Sequence, residues 1–122
     1  MIKSIKQIEY SIGGYSQGEV SYILDGSTIS HWENEFAEMG QPPADYISSK
    51  QVNSTQLDSV KELFNQLDFT NWEKEYWEDV CDGEQWEIMV TYNGNLKKKI
   101  YGSNAYPKGF EKIERLLKSL MQ

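Results

Sequence analysis

The chain holds little of what most catalytic and metal centres are built from: one cysteine (Cys81), one histidine (His31) and three prolines in 122 residues. A lone thiol excludes an internal disulfide and fits a reducing compartment, so a cytoplasmic location is expected. Metal sites draw on clustered His, Cys or carboxylates at ligand spacing. His31 has no second His or Cys near it, so no metal or other cofactor is expected, and a solvent-facing strand residue is the reading for it. Asp79 and Asp82 flank Cys81, and negative neighbours oppose a reactive thiolate. No apolar run approaches the roughly 18 residues of a membrane-crossing helix, and mean hydropathy is -0.67. The first residues, Met1 to Lys6, lack the apolar stretch of a signal peptide.

Basic residues are also scarce. Twelve Lys and Arg stand against 19 Asp and Glu, a net charge of -7 that makes nucleic acid and anionic membranes poor partners. The imbalance is local. Residues 62–87 hold nine acids against Lys74 alone, a net of -8, while residues 88–122 hold seven bases against Glu111 and Glu114, a net of +5. Such faces commonly serve solubility; the sharper expectation is an acidic patch, Glu73, Glu75, Glu78, Asp79 and Glu84, that steers a basic protein partner.

What is present in quantity is aromatic: 13% of the chain, including four Trp and eight Tyr. At this length one domain, residues 1–122, is expected, with enough burial for a core without staples. Ile8, Tyr10 and Ile12 alternate with polar residues, as do Val20, Tyr22 and Leu24, and Asp25-Gly26 is a hairpin turn signal. A third strand from Thr28 to about Phe36 completes a predicted meander. Gly40-Gln41-Pro42-Pro43 places a loop over 38–46, and Tyr46 to Val52 reads as a short extended piece.

Leu57, Val60, Leu63, Phe64 and Leu67 mark a helix over 54–67, capped by Asn53 with Gln56 or by Thr55 with Asp58. Thr70 and Glu73 read as the capping box of a second, short helix that brings Phe69, Trp72 and Tyr76 together. In the hairpin from Gln85 to Tyr101, a two-residue loop would turn Lys97 and Lys99 onto the apolar face. A three-residue loop, Asn93-Gly94-Asn95, pairs Tyr92 with Leu96 and Ile88 with Ile100 and keeps them on the polar one. Burial selects the longer loop. Pro107 suits the first turn of a last helix with Phe110, Ile113, Leu116, Leu117 and Leu120 as its stripe. The expected fold is α+β: an antiparallel sheet of about five strands in the order β-β-β-α-α-β-β-α, helices packed on one face, a two-layer sandwich.

Motifs with defined chemistry are missing. Gly13-Gly14-Tyr15-Ser16-Gln17-Gly18 lacks the Gly-Lys-Ser/Thr ending of a phosphate loop and precedes a strand. Asp79, Asp82 and Glu84 lack the spacing of a calcium loop. A carboxylate pair working on glycosidic bonds would need a cleft that so short a chain is not expected to build. Functional weight falls on the aromatics: Trp72, Tyr76, Trp77, Trp86, Tyr92 and Tyr106 could line a cleft closed by Asp82 and Asn104, although most aromatics in a small domain are core.

The string Trp72-x3-Tyr76, Asp82-Gly83-x2-Trp86-x-Ile88-x-Val90-x-Tyr92, Asn93-Gly94, Gly102-Ser103-Asn104-Ala105-Tyr106-Pro107 resembles the C-terminal signature of a family of small bacterial proteins, mostly Gram-positive, with no assigned activity. The resemblance spans about the last fifty residues. It implies a shared fold and a bacterial origin and carries over no catalytic residue.

Two functional expectations follow. The first is a non-catalytic domain that binds a protein, in its concrete form a toxin-neutralising, immunity-type protein facing a basic surface. The alternative is a small-molecule or carbohydrate-binding module using an aromatic cleft. The binding residues for either are Trp72, Tyr76, Asp82, Trp86, Asn104 and Tyr106.

Overall fold

A computed structural model describes residues 1–14, 18–34, 48–79 and 83–122. Tyr15 to Gln17, Phe36, the loop expected over 38–46, Tyr46, Cys81 and Asp82 lie outside the described residues.

The alternating apolar residues of the first third form β1 (Ile5–Gly14), β2 (Gly18–Asp25) and β3 (Thr28–Asn34), paired antiparallel as the meander requires. Asp25 faces Thr28 across the turn, where Gly26 takes a φ of 62° that glycine adopts without penalty. β4 (Ser48–Gln51) adds to the outer edge of β3, and its four residues are all exposed. Helix α1 (Ser54–Gln66) follows. Of the two caps considered, Asn53 with Gln56 forms: the Asn53 carboxamide accepts from Gln56 N–H at 2.8 Å, and Gln56 accepts from Asn53 N–H at 2.9 Å.

The expected second helix is a correction. Phe69–Asn71 makes one 3-10 turn, Trp72 is extended, and Glu75–Trp77 is a strand, β5, parallel to β7. Glu73 does not close a capping box; its N–H donates to the Tyr76 hydroxyl at 3.0 Å. β6 (Glu84–Tyr92) and β7 (Leu96–Ser103) form the hairpin in the expected register, with Tyr92 opposite Leu96 and Ile88 opposite Ile100. Helix α2 (Glu111–Leu120) starts later than expected, because Pro107 lies in a preceding turn whose C=O accepts from Phe110 N–H at 3.1 Å. Its stripe is as expected, with Phe110, Ile113, Leu117 and Leu120 buried.

The strands form one seven-stranded sheet in the order β4-β3-β2-β1-β6-β7-β5. This overturns the five-stranded antiparallel sheet with helices packed on one face: the sheet is mixed, and among the described residues strand makes up 47% and there are only two α-helices. Two physical causes account for the difference. The added strands sit at opposite edges and are four and three residues long, too short for an apolar period to show. Buried residues also occupy both faces of the first strands. Tyr10, Tyr22 and Leu24 share the face that meets Val60, Phe64, Ile113 and Leu117 in one cluster. The opposite face carries buried Trp32, Ser21 and Glu19, where the Ser21 hydroxyl donates to Glu19 Oε1 at 2.9 Å.

Candidate functional site

Across the inner face runs a row of rings. His31 stacks on Tyr22 at 4.4 Å between centroids, Tyr22 on Tyr10 at 6.4 Å, and Tyr10 meets Phe110 at 6.0 Å. Phe110 lies 4.3 Å from Trp86, which stacks between Tyr76 at 6.2 Å and Tyr106 at 6.4 Å. His31 is therefore half-buried against a ring, with Nδ1 3.0 Å from Ser21 C=O, and the solvent-facing reading is corrected. Among the described residues no group of three His, Cys, Asp or Glu could hold a metal.

Trp86 anchors the row. It is 1% exposed, its indole N–H donates to Ala105 C=O at 3.0 Å, and its ring covers Gly102. Asn104 closes the end of the hairpin from the left-handed region (φ 59°): its N–H donates to Glu84 C=O at 2.9 Å, and its Oδ1 accepts from Glu84 N–H at 2.7 Å. A β-carbon on Gly83 would stand 1.6 Å from that Oδ1, which explains the glycine. This clamp fixes Glu84, whose Oε1 accepts from the Tyr106 hydroxyl at 2.6 Å.

Beside this corner opens a hollow of about 590 Å³ between β1, β2 and the start of α2. Tyr10, Phe110 and Tyr106 wall it, and Glu84, Glu111 and Glu114 ring it, with no Lys or Arg among the described residues of its lining. The Tyr10 hydroxyl donates to Glu114 Oε1 at 3.0 Å. Among the described residues none of the three glutamates joins an ion pair. Burial, then the Glu84 hydrogen bond, pushes Tyr106 up to about 12. Burial first and Glu114 second hold Tyr10 well above its ordinary value. Both hydroxyls thus stay protonated at neutral pH and act as donors that fix carboxylates in place.

The expected binding set divides. Tyr76, Trp86, Asn104 and Tyr106 come together with Glu84. Trp72 does not join them: its ring meets Phe69 at 5.2 Å, its indole N–H donates to Leu67 C=O at 2.8 Å, and it shares a separate depression with Tyr76 and Pro107. Asp82 lies outside the described residues. The acidic patch divides too. Glu84 belongs to the hollow, while Glu73, Glu75, Glu78 and Asp79 are exposed around β5. Tyr10 and Phe110, expected as strand and helix core, and Glu111 and Glu114 were not among the expected site residues. Glu111 and Glu114 were counted into the basic C-terminal part, and their signal was two acids, three apart, in the first turn of a helix otherwise rich in Lys.

The chain matches no protein-family model, and no curated protein matches it in sequence. Among the described residues no helix is long and apolar enough to cross a membrane.

Proposed function

We propose that this protein is a non-catalytic binding domain that recognises a basic protein partner by seating a lysine or arginine side chain in the hollow at Glu84, Glu111 and Glu114. One observation carries the reading: three carboxylates surround an aromatic-walled cavity, and among the described residues none of them joins an ion pair and no Lys or Arg lines it. An alkyl-ammonium or guanidinium group matches both parts of that lining. Its stem packs on Tyr106, the exposed ring of the wall, and its charge meets Glu84 and Glu114, which tyrosine hydroxyls already hold, so little side-chain entropy is lost on binding. An immunity-type role, neutralising a basic toxin, is the concrete form of this reading. It accords with a bacterial origin, the implication of the C-terminal resemblance.

The protonated tyrosines support binding over proton transfer, since neither serves as a base near neutral pH. The carbohydrate reading has less support. Sugars stack on open indole faces, whereas Trp86 is covered and Trp72 stands apart. The test is a titration of the isotope-labelled protein with an arginine-containing peptide, followed by amide chemical shifts. Saturable shifts confined to Glu84, Tyr106, Phe110, Glu111 and Glu114 are expected. Unsaturable shifts spread over every carboxylate would overturn the reading.

A further inference from the structure

The outer edge of β5 presents a second surface with a different chemistry. Tyr101 N–H donates to Lys74 C=O at 3.0 Å, and Glu78 N–H donates to Ser103 C=O at 2.9 Å, so the backbone of residues 74, 76 and 78 faces β7. By strand alternation, the N–H and C=O groups of Glu75 and Trp77 face away from the sheet. β5 is the terminal strand, so no described strand takes them up. Trp77 is 69% exposed and Tyr101 46%, and register places both on the sheet face opposite Trp86, where they line a depression of about 500 Å³. Exposed aromatics beside an open strand edge are costly to leave in water and typical of interface anchors.

We propose that this edge docks an extended, basic segment of a partner protein, which adds a strand beside β5 and packs an apolar residue on Trp77 and Tyr101. Charge selects the occupant. Residues 73–79 carry four exposed acids, Glu73, Glu75, Glu78 and Asp79, against Lys74 alone, and Lys99 on the neighbouring strand is already held by Glu87 at 3.1 Å. A second copy of the chain would bring the same acids face to face, so the edge repels itself and accepts a strand bearing Lys or Arg at alternate positions. The inference deepens the basic-partner reading by naming the form of the partner's segment, and it uses residues separate from the hollow.

The probe is a peptide of alternating lysine and valine, with a copy whose central amides are N-methylated so that it cannot join a ladder. Amide shifts and hydrogen exchange of the intact protein report binding. The expected result is slowed exchange at Glu75 and Trp77, at least tenfold weaker binding by Trp77→Ala, and loss of binding with the methylated copy. Trp77 is exposed, so that variant should fold; Glu75→Lys, which reverses one charge, is a second variant expected to weaken binding. Equal binding of the methylated peptide would overturn the proposal, as would self-association of the free protein through Trp77. Shifts at Glu84 and Glu114 without any at β5 would overturn this inference and leave the hollow reading standing. Shifts at β5 with a silent hollow would do the reverse.

Discussion

The indole of Trp86 lies on Gly102 so closely that a β-carbon built there would stand 1.8 Å from Nε1. Cross-strand pairing makes the two residues direct neighbours, and the missing side chain is what lets the ring lie flat between Tyr76 and Tyr106. Gly102→Ala should therefore displace Trp86 and cost about 1–3 kcal/mol, the usual range for overpacking a core. Urea unfolding measures it; a cost below about 0.5 kcal/mol, within surface-substitution scatter, would contradict this packing.

Lys98 faces the core side of β7, and its ammonium donates to Thr70 C=O at 2.7 Å and Trp72 C=O at 2.6 Å while lying over the Phe69 ring at 5.9 Å. It satisfies carbonyls at the end of the 3-10 turn that no helix continues to serve. Lys98→Met keeps the stem and strands those carbonyls, with an expected loss of about 1–3 kcal/mol. Thermal or urea denaturation should show it, and an unchanged midpoint would refute the role.

Two asparagines hold the N-terminal segment. Asn93 accepts from Lys3 N–H at 2.7 Å and Ser4 N–H at 3.2 Å, and Asn65 exchanges two hydrogen bonds with Ile2 at 2.8 and 2.9 Å. Asn93→Ala should speed amide exchange at residues 3 and 4 and leave Ile2 protected by Asn65. Equal protection at all three would argue against the assignment.

The Tyr106–Glu84 contact has a defined pH window. The tyrosine moves from an ordinary 10.0 to about 12 in the fold, so the folded state holds this proton more tightly. The stabilisation is complete below pH 10 and is lost as pH rises through 12. Tyrosinate absorbance should show a group titrating near 12 that Tyr106→Phe removes and Glu84→Gln shifts part of the way back, distinct from Tyr10, which burial and Glu114 also hold protonated. A Glu84→Gln curve identical to the parent's would contradict the pairing.

Much of the core was legible because its period is regular. The meander and the α1 stripe follow from apolar spacing, and the Asn93-Gly94-Asn95 register from keeping Lys97 and Lys99 off the apolar face. The edges were not. Ser48–Gln51 falls within the extended piece expected over Tyr46 to Val52, but neither it nor Glu75–Trp77 carries a period, and both join the sheet because a neighbour offers them a ladder, which is a tertiary effect. The spacing of Trp72 and Tyr76 suggested one helical face, yet the chain turns extended between them and sends each ring to a different partner. The hollow was half legible: Glu84 and Tyr106 were singled out, while Glu111 and Glu114 were hidden in a basic stretch that only folding brings against them.

The most direct measurement is the affinity of a tetra-arginine peptide by calorimetry, for the parent protein and for Glu84→Gln, Glu111→Gln, Glu114→Gln combined, at low and physiological salt. A basic group seated among these carboxylates predicts at least about a tenfold loss in the triple variant, roughly 1.4 kcal/mol, and steep weakening of the parent by salt. Equal affinities, or binding by the parent that ignores salt, would contradict it.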